Sequence, residues 1–473
     1  MRWSSCGAIL ALAATTSAID PIEVKGNKFF RKDGSQFFLK GVSYQLRPDD
    51  PLIDTDQCRR DAELMKELGT NALRVYHVDD DADHDGCMKV FADAGIYLLI
   101  DLDTFDTYIL PSNQVWSTRQ YKRFAKVMDE FQGYDNVLAF FVGNEDIAAK
   151  EDSPGAPFLK AAVRDMRAYR EDKGYRKIPI GYTAADIVEL RPMLQDYLTC
   201  GGNASETVEF FGLNSYAWCD PSTYEEAYAP LQEHAKDFPV PIFFSETGCN
   251  VPGPRLWEDM DAIFGEHMVD DWSGAIIYEW IQEENNYGII SYGPPVGDPS
   301  KNDATVFDNW TRKGTPTPVS PDFENLKTKW ASNNPTGVSR DDYDPDHVST
   351  RDCPTSTEGG WWQVDGDVRL PRLDETVTAY AELAAAMSTA SESQGDSTKT
   401  SSSGSEASTT GDSDEEEESG TATGESDEEE TGTATGDAGS EETEDADSSG
   451  GRGQTMAMCA TLIAAVLGVT VWL

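Results

Sequence analysis

The stretch that decides the fold runs Val137-Leu138-Ala139-Phe140-Phe141-Val142-Gly143-Asn144-Glu145. Its apolar, β-forming part has the length of a fully buried strand and is too short for a helix. It ends abruptly in a glycine, an asparagine and a glutamate. The same pattern returns in Pro241-Ile242-Phe243-Phe244-Ser245-Glu246. A glutamate just past the end of a buried parallel strand lies where (β/α)8 barrels hold their catalytic side chains, and two of them suit a two-carboxylate glycosidase.

Predicted strands and helices alternate on both sides of this stretch. Strands are predicted at residues 37–42, 71–75, 96–100, 137–142, 178–182, 210–214, 242–245 and 275–278. Helices are predicted at residues 56–68, 85–94, 118–131, 156–171, 186–197, 224–236 and 256–268. Eight such units over roughly 250 residues predict an α/β fold, a closed (β/α)8 TIM barrel. A doubly wound open sheet is the alternative, but no glycine-rich dinucleotide turn follows the first strand.

The chain changes character twice after the last predicted strand. Residues 285–371 are rich in Gly, Pro, Asn and Trp and are interpreted as loops packed back onto the barrel, which gives a catalytic domain of residues 19–371. Residues 372–387 are a possible closing helix with Asp374 as its cap. Residues 388–451 are rich in Ser, Thr, Gly, Asp and Glu, have little apolar surface to bury, and predict a disordered acidic stalk.

Both ends of the sequence resemble processing signals. The apolar run 8–14 and the small residues up to Ala18 predict a secretory signal peptide over residues 1–18. At the other end, residues 452–473 predict the propeptide tail of a glycosylphosphatidylinositol (GPI) anchor, because small residues precede a polar spacer and an apolar tail. Candidate attachment residues are Ser448, Ser449 and Gly450. A transmembrane anchor is the alternative, but no basic residue follows the apolar tail.

The formal net charge of −47 bounds the possible partners. It argues against nucleic acid and anionic membrane surfaces, which require a basic patch, whereas a neutral polymer is compatible. The five histidines are scattered and predict no metal site, and the run Asp79-Asp80-Asp81 is interpreted as a solvated loop. No cofactor is predicted, and a monomer is expected.

Six cysteines remain once the two processed ends are removed. They are Cys58, Cys87, Cys200, Cys219, Cys249 and Cys353. An even number in an exported chain predicts disulfides, but six cysteines allow fifteen pairings and their spacing selects none of them. The sequons at Asn203 and Asn309 predict N-glycosylation and agree with the same export route.

The two strand-end glutamates are predicted to have different catalytic roles. Hydrolysis or transfer of a glycosidic bond needs one protonated carboxyl group and one ionised carboxylate. Glu145 is the candidate acid/base and Glu246 the candidate nucleophile, and Asn144 is placed to bind the sugar 2-hydroxyl. A single strand-end glutamate is as well explained by a loop salt bridge, and the pair favours catalysis. The two carboxyl groups are expected to face each other roughly 5 Å apart.

Nine motifs extend this pattern over residues 20–355. They are GVSYQ (41–45), CRRD (58–61), NALRVY (71–76), HDGCM (84–88), GNE (143–145), GY (181–182), NSYAWC (214–219), FFSE (243–246) and QEENNYG (282–288). In this order they resemble glycoside hydrolase family 72, the lipid-anchored β-1,3-glucanosyltransferases of fungal cell walls. The resemblance implies a location at the outer face of the plasma membrane and in the cell wall.

The resemblance also implies a retaining double displacement on β-1,3-glucan. Glu246 would attack the anomeric carbon, Glu145 would protonate the departing chain, and a second glucan would accept the glycosyl unit, so that the polymer is elongated. The implied cleft residues are Gln45, Tyr76, Asp101, Asn144, Asp186, Arg191, Tyr216 and Tyr278. Each has a plainer reading: barrel-mouth packing for the tyrosines, a loop cap for Asp101, and mutual pairing for Asp186 and Arg191.

The implied disulfides are Cys58–Cys87, Cys200–Cys353 and Cys219–Cys249. The chain departs from the family at two places. No cysteine lies between Cys353 and the tail, so the cysteine-rich carbohydrate-binding module of many members is expected to be absent. The loop at residues 102–108 also lacks the usual Ser and Pro pattern, and Asp103 within it is a candidate cleft residue.

Two other functions stay open at this point. An endo-β-1,3-glucanase would use the same carboxylates and pass the glycosyl unit to water instead of to a sugar. A non-catalytic, wall-anchored glucan-binding protein is the second alternative, and the presence of both Glu145 and Glu246 argues against it.

Overall fold

Eight parallel strands close into a barrel in the computed structural model, which describes residues 19–113, 115–298, 300–348 and 350–377. The strands are β1 Leu39–Ser43, β2 Ala72–Val75, β3 Tyr97–Asp101, β4 Val137–Asn144, β5 Ile180–Ala185, β6 Phe211–Asn214, β7 Ile242–Thr247 and β8 Trp272–Ile277. Each strand pairs with the next one in parallel, and β8 pairs with β1 to close the ring. The predicted TIM barrel is therefore confirmed. All strands point their carboxyl ends toward one face of the barrel, where such folds carry their sites.

A cluster of buried apolar side chains fills the opposite end of the barrel. Side chains alternate along a strand, so residues two apart share one face of the sheet. Leu99 and Phe243 belong to this cluster. Phe29, from an N-terminal hairpin of Glu23–Lys25 and Lys28–Phe30, packs against Phe243 with ring centroids 6.2 Å apart. The barrel is thus a packed core at this end.

The helices surround the barrel, and the local sequence explains why the bounds of one of them were predicted correctly. They are α1 Thr55–Leu68, α2 Asp85–Asp93, α3 Thr118–Phe131, α4 Ala156–Asp172, α5 Arg191–Thr199, α6 Tyr224–Ala227, α7 Ala229–Ala235, α8 Asp259–Ile263 and α9 Asp322–Ser332. The bounds of α3 agree with its prediction because Ser117 and Gln120 form a capping box. Gln120 N donates to Ser117 Oγ (3.2 Å), and Ser117 N donates to Gln120 Oε1 (2.9 Å).

Three predicted helices were wrong in their bounds, for local reasons. The fifth begins five residues later than predicted, because Pro192 is tolerated in a first turn but not in a helix interior. The sixth is split into α6 and α7, because Pro230 lacks an N–H group and can lie only in the first turn of α7. The seventh shrinks to α8, because Trp257 has a φ of 57°, which interrupts a right-handed helix.

The segment predicted as loops also contains regular structure. Helix α9 was missed, although its buried residues Phe323, Leu326 and Trp330 have helical spacing. Two short antiparallel pairs accompany it: Ile290–Ser291 with Thr317–Pro318, and Val306–Phe307 with Trp310–Thr311. Lys40 Nζ, on β1, donates to Trp330 O (2.6 Å) and so fastens α9 to the barrel. Every described residue belongs to one compact unit.

The predicted closing helix does not begin where it was expected. Residues 372–377 are not helical, and residues 378–387 lie outside the described residues. Asp374 Oδ1 instead accepts a hydrogen bond from Thr118 N (2.7 Å), so Asp374 caps α3 rather than a helix of its own. The predicted signal peptide, stalk and anchor tail also lie outside the described residues. No helix within the described part of the chain is long and apolar enough to cross a bilayer.

Three disulfides tie the barrel and its loops together. Cys58–Cys87 joins α1 to α2. Cys219–Cys249 links the loops that follow β6 and β7. Cys200–Cys353 fastens the C-terminal segment to the end of α5. These are the three pairs that the resemblance implies.

Candidate active site

The carboxyl ends of four strands bring the candidate catalytic groups together. Glu145 directly follows β4, and Glu246 lies near the end of β7. Asn214 is the last residue of β6, and Arg74 lies in β2. Their side chains form one hydrogen-bonded group at the barrel mouth.

Glu246 is held by three donors that engage both of its oxygens. It is buried, with 9% of its surface exposed. Arg74 Nη1 (3.1 Å) and Tyr76 Oη (2.8 Å) donate to Oε1. Tyr216 Oη donates to Oε2 (2.9 Å). One guanidinium and two hydroxyl groups thus aim hydrogen-bond donors at a single carboxyl group.

Arg74 lies at the centre of the site and was not predicted from the sequence. It is fully buried and pairs with Asp101, Nη2 to Oδ2, at 3.1 Å. Nη2 also donates to Asn144 Oδ1 (2.8 Å). Burial opposes its charge, but Asp101 and Glu246 outweigh burial and raise the pKa of Arg74 above its usual range. A permanent positive charge is thereby fixed beside Glu246.

Glu145 has a different environment from Glu246. Its Oε1 accepts one hydrogen bond, from the neutral amide Nδ2 of Asn214 (2.9 Å). Burial, and then the charge of Glu246, raise its pKa to about 7. Its backbone has a φ of 57°, a left-handed conformation that non-glycine residues rarely adopt outside functional sites. Glu145 therefore keeps its proton near neutral pH, as a general acid must.

Asn214 fixes the orientation of the amides between the two glutamates. Its Oδ1 accepts hydrogen bonds from Arg74 Nη1 (3.3 Å), Thr183 Oγ1 (3.0 Å) and Ser245 Oγ (2.8 Å). Its Nδ2 must then point toward Glu145 and toward Asn144 Oδ1 (3.0 Å). Asparagine ends β6 without any sequence signal for this role other than its place at a strand end.

Aromatic side chains form a wall beside Glu246. Tyr216 lies near Tyr278, with ring centroids 6.5 Å apart in an edge-to-face arrangement. The ring of Tyr287, which was not predicted, packs against both of them, with ring centroids 5.5 Å apart in each case. Gln45 Nε2 donates to Tyr278 Oη (2.9 Å), so the predicted glutamine and tyrosine lie together. A wall of ring faces and hydroxyl groups suits a sugar, which has both apolar faces and polar edges.

Glu279 is a further buried carboxyl group of the site, and it was not predicted from the sequence. It accepts hydrogen bonds from Gln45 Nε2 (2.6 Å) and Asn285 Nδ2 (2.7 Å). Burial, and then the charge of Glu283, raise its pKa to about 8. Arg312 pairs with Glu283 at 2.6 Å. Glu279 therefore fixes the amide of Gln45, and its position just after β8 is the signal that could have identified it.

The remaining predicted cleft residues fall into two groups. Asp101 pairs with Arg74 within the site, and burial raises its pKa to about 6. Asp103 is buried nearby, and burial and the charge of Asp101 raise its pKa well above the usual range. Asp186 is bound by Arg191 and by Ser215 Oγ (2.6 Å), and neither residue of this ion pair hydrogen-bonds Glu145 or Glu246 in the described chain. The predicted pairing of Asp186 with Arg191 is therefore present, and their role in the cleft stays a prediction.

The acidic run at residues 79–81 differs from its interpretation as a solvated loop. Its three carboxylates approach within 4.8 Å of one another. Asp79 and Asp81 are exposed, but Asp80 is buried and pairs with Arg123 (3.1 Å) and Lys126 (3.5 Å) of α3. Asp80 therefore neutralises cations of the scaffold.

Comparisons with known proteins agree with this geometry. A family profile described as Glucanosyltransferase matches residues 11–313. The pH-responsive protein 1 of Candida albicans is 42% identical over 300 residues, which cover 60% of this chain and 55% of that protein. A 1,3-beta-glucanosyltransferase of Arthroderma benhamiae is 36% identical over 402 residues, which cover 78% and 69%. The structure of Saccharomyces cerevisiae Gas2p in complex with laminaritetraose and laminaripentaose is 33% identical, with a TM-score of 0.66 and 75% of each chain covered.

These matches cover only part of each relative. The chain spans 55% of the length of the pH-responsive protein 1, and 63% and 64% of two further relatives, proteins EPD1 and EPD2 of Candida maltosa, so only their shared part is compared. Over that part, the family profile covers more than half of this chain, and Gas2p has the same barrel. The chain belongs to glycoside hydrolase family 72, the glucanosyltransferases.

Proposed function

We propose that this protein is a retaining β-1,3-glucanosyltransferase that elongates cell-wall glucan. One observation carries the proposal: two glutamates at one barrel mouth have opposite environments. Glu246 is bound by a buried arginine and two tyrosines, whereas Glu145 is bound by a neutral amide and its pKa is raised to about 7. One ionised and one protonated carboxyl group are what a retaining mechanism needs.

The first half of the reaction breaks the donor chain. Glu246 attacks the anomeric carbon and forms a glycosyl ester, while Glu145 gives its proton to the departing glycosidic oxygen. The ester removes the negative charge of Glu246, which had helped to raise the pKa of Glu145. The pKa of Glu145 therefore falls at this step, and its carboxylate is ready to act as a base.

The second half transfers the glycosyl unit. Glu145 takes the proton of an acceptor hydroxyl group, whose oxygen displaces Glu246 and forms the new glycosidic bond. Asn144 supports the transition state in this scheme: its Oδ1 is bound by Arg74 and Asn214, and no described residue accepts from its Nδ2. That Nδ2 group is available to the sugar 2-hydroxyl.

Two observations support β-1,3-glucan as the substrate. Gas2p, a relative of the same fold, binds laminaritetraose and laminaripentaose. The tyrosine wall beside Glu246 provides ring faces for such a neutral sugar chain. Tyr76, Tyr216, Tyr278 and Gln45 are the residues that we assign to this cleft.

Incubation with a reduced laminari-oligosaccharide tests the proposal. Products longer than the starting sugar require transfer to an acceptor, whereas an endo-glucanase releases only shorter ones. Glu246→Gln is expected to abolish turnover and keep glucan binding, and the exposed Glu189→Gln serves as the matched control. If all products are shorter than the starting sugar, the protein is a hydrolase. Full turnover by Glu246→Gln would refute the assignment of Glu246 as the nucleophile. Absence of turnover in the unmodified protein would favour the non-catalytic glucan-binding protein.

We also propose export of the chain and a GPI anchor, with residues 19–371 as the catalytic domain. The disulfides within the described part of the chain support an oxidising compartment. Asn203 is exposed, as a glycosylation acceptor must be. Release from intact cells by a phosphatidylinositol-specific phospholipase C tests the anchor, and failure of Ser448, Ser449 and Gly450 substitutions to prevent anchoring would refute the attachment site.

A further inference from the structure

An exposed aromatic group lies beside the barrel mouth, in the loop where the sequence departs from its family. Phe105, in the loop after β3, exposes 58% of its surface. Its ring lies against the imidazole of His77, with centroids 3.8 Å apart and an interplanar angle of 32°. Tyr108 borders the same imidazole, with its Oη 3.3 Å from His77 Nε2. We refer to Phe105, His77 and Tyr108 as the aromatic platform.

The turn that carries Phe105 is fixed by its own hydrogen bonds. Thr104 N donates to Thr107 Oγ1 (2.8 Å), and Thr107 N donates to Thr104 O (2.9 Å). Asp106 pairs with Arg119 of α3, which fastens the turn to the scaffold. An exposed ring that is already held in place loses little conformational freedom when a ligand binds, so it is better prepared for binding than a mobile side chain.

The platform carries no charge at neutral or mildly acidic pH. Burial lowers the pKa of His77 to about 4, and the positive charge of Arg74 acts in the same direction. Burial and the charge of Asp101 raise the pKa of the neighbouring Asp103 carboxyl well above its usual range. An uncharged ring face suits a neutral ligand with apolar C–H groups and does not suit an ion.

The platform is also continuous with the candidate active site. His77 follows Tyr76, whose Oη donates to Glu246 Oε1 (2.8 Å). The platform therefore begins at the residue next to the one that contacts the nucleophile, and it ends at the exposed ring of Phe105. Asp101, which pairs with Arg74, begins the loop that carries Phe105.

We propose that the aromatic platform is a distal subsite for the β-1,3-glucan chain. The C–H face of a glucose unit remote from the reacting bond stacks on the exposed face of Phe105, because partly positive C–H groups are attracted to the negative face of an aromatic ring. The subsite selects long chains over short ones, since only a long chain reaches both Glu246 and Phe105. This inference rests on the proposed function and adds the chain length that the site prefers.

Calorimetric binding of laminari-oligosaccharides of increasing length tests the subsite. The series is measured on Glu246→Gln, which does not consume the ligand, and on the same variant combined with Phe105→Ala. We expect Phe105→Ala to weaken the binding of long chains about threefold to tenfold, the range of one aromatic contact, and to leave short chains unchanged. Phe105→Tyr should restore the preference for long chains. Leu110→Ala, at a residue 52% exposed in the same loop, is the matched control and should behave as the parent.

Each other outcome overturns the subsite. An equal loss at every length would mean that Phe105 supports the fold of the site, and an equal loss in Leu110→Ala would mean that the whole loop was disturbed. If Phe105→Ala binds chains of every length as tightly as its parent does, the platform has no role in binding. The elongation assay separates this proposal from the proposed function. If the unmodified protein elongates glucan and Phe105→Ala does not change the binding of long chains, only the subsite is refuted. If glucan of no length binds, both proposals are refuted.

Discussion

Replacing Glu145 by glutamine is expected to stabilise the fold above neutral pH. Burial and the charge of Glu246 raise the pKa of Glu145 from 4.5 to about 7. Between these two values the native state holds a proton that the unfolded chain has released, so the stability falls as the pH rises through this window. Glutamine keeps the oxygen that accepts from Asn214 Nδ2 (2.9 Å) but cannot ionise. The variant therefore avoids a cost that the unmodified protein bears.

The magnitude follows from the two pKa values. An increase of the pKa from 4.5 to about 7 corresponds to about 3.5 kcal/mol at roughly 1.4 kcal/mol per pKa unit. Because Glu145 is only half-buried, solvent screening reduces the expected gain to about 1–3 kcal/mol. The gain should be absent below pH 4.5, where both states are protonated, and complete above about pH 7.

Urea unfolding over a range of pH measures this difference directly. The free energy of unfolding of Glu145→Gln minus that of the unmodified protein should rise through the window and then stay level. The exposed Glu189→Gln should show a flat difference, which separates the effect of the site from that of net charge. A difference for Glu145→Gln that is independent of pH, or that falls as the pH rises, would refute the assignment of Glu145 as the protonated partner.

Three further results are expected. First, kcat/KM on β-1,3-glucan should fall above about pH 7, because Glu145 loses the proton that it must donate; a pH–rate profile measures this. Second, Arg74→Met leaves two buried carboxylates without their cation and should cost about 3–5 kcal/mol in urea unfolding. Third, serine at Cys200 and Cys353 removes the bridge between α5 and the C-terminal segment and should cost about 2–5 kcal/mol in the same assay.

Each of these results has its own control. A kcat/KM that stays constant up to pH 9 would show that another group supplies the proton. Arg59→Met removes an exposed arginine that pairs with Asp56, and it should change the stability by no more than about 0.5 kcal/mol. An equal loss in both arginine variants would mean that the buried ion pairs have no special role. If reduction of the native disulfides does not lower the stability of the unmodified protein, the serine variants act by another route.

The barrel could be predicted because its signals are local. Buried parallel strands are short continuous apolar runs, and each helix between them begins and ends at residues that the chain itself supplies. Helix α3 was predicted to the residue because Ser117 and Gln120 satisfy its first N–H groups reciprocally. Where proline lay inside an apparent helical pattern, at Pro192 and Pro230, the apolar period suggested a longer helix than the backbone allows.

The groups that control the site could not be found in this way. Arg74 occupies one position in the apolar strand β2, and only the closure of the barrel brings Asp101 and Glu246 around it. Glu279 has one such signal, its position just after β8, but it resembles the other acidic residues there until its hydrogen bond with Gln45 is seen. These roles depend on contacts between strands far apart in sequence, which the order of residue types does not reveal.

The two glutamates differ because one buried cation contacts only one of them. Arg74 Nη1 donates to Glu246 directly (3.1 Å), but it reaches Glu145 only through the neutral side chain of Asn214. Burial raises the pKa of Glu145, and the charge of Glu246 raises it further. When Glu246 becomes an ester, the contribution of its charge disappears, the pKa of Glu145 falls, and Glu145 can become the base. The position of Arg74 in the barrel thus determines which glutamate is the nucleophile and which is the acid/base. Exchanging these two roles would require moving the arginine.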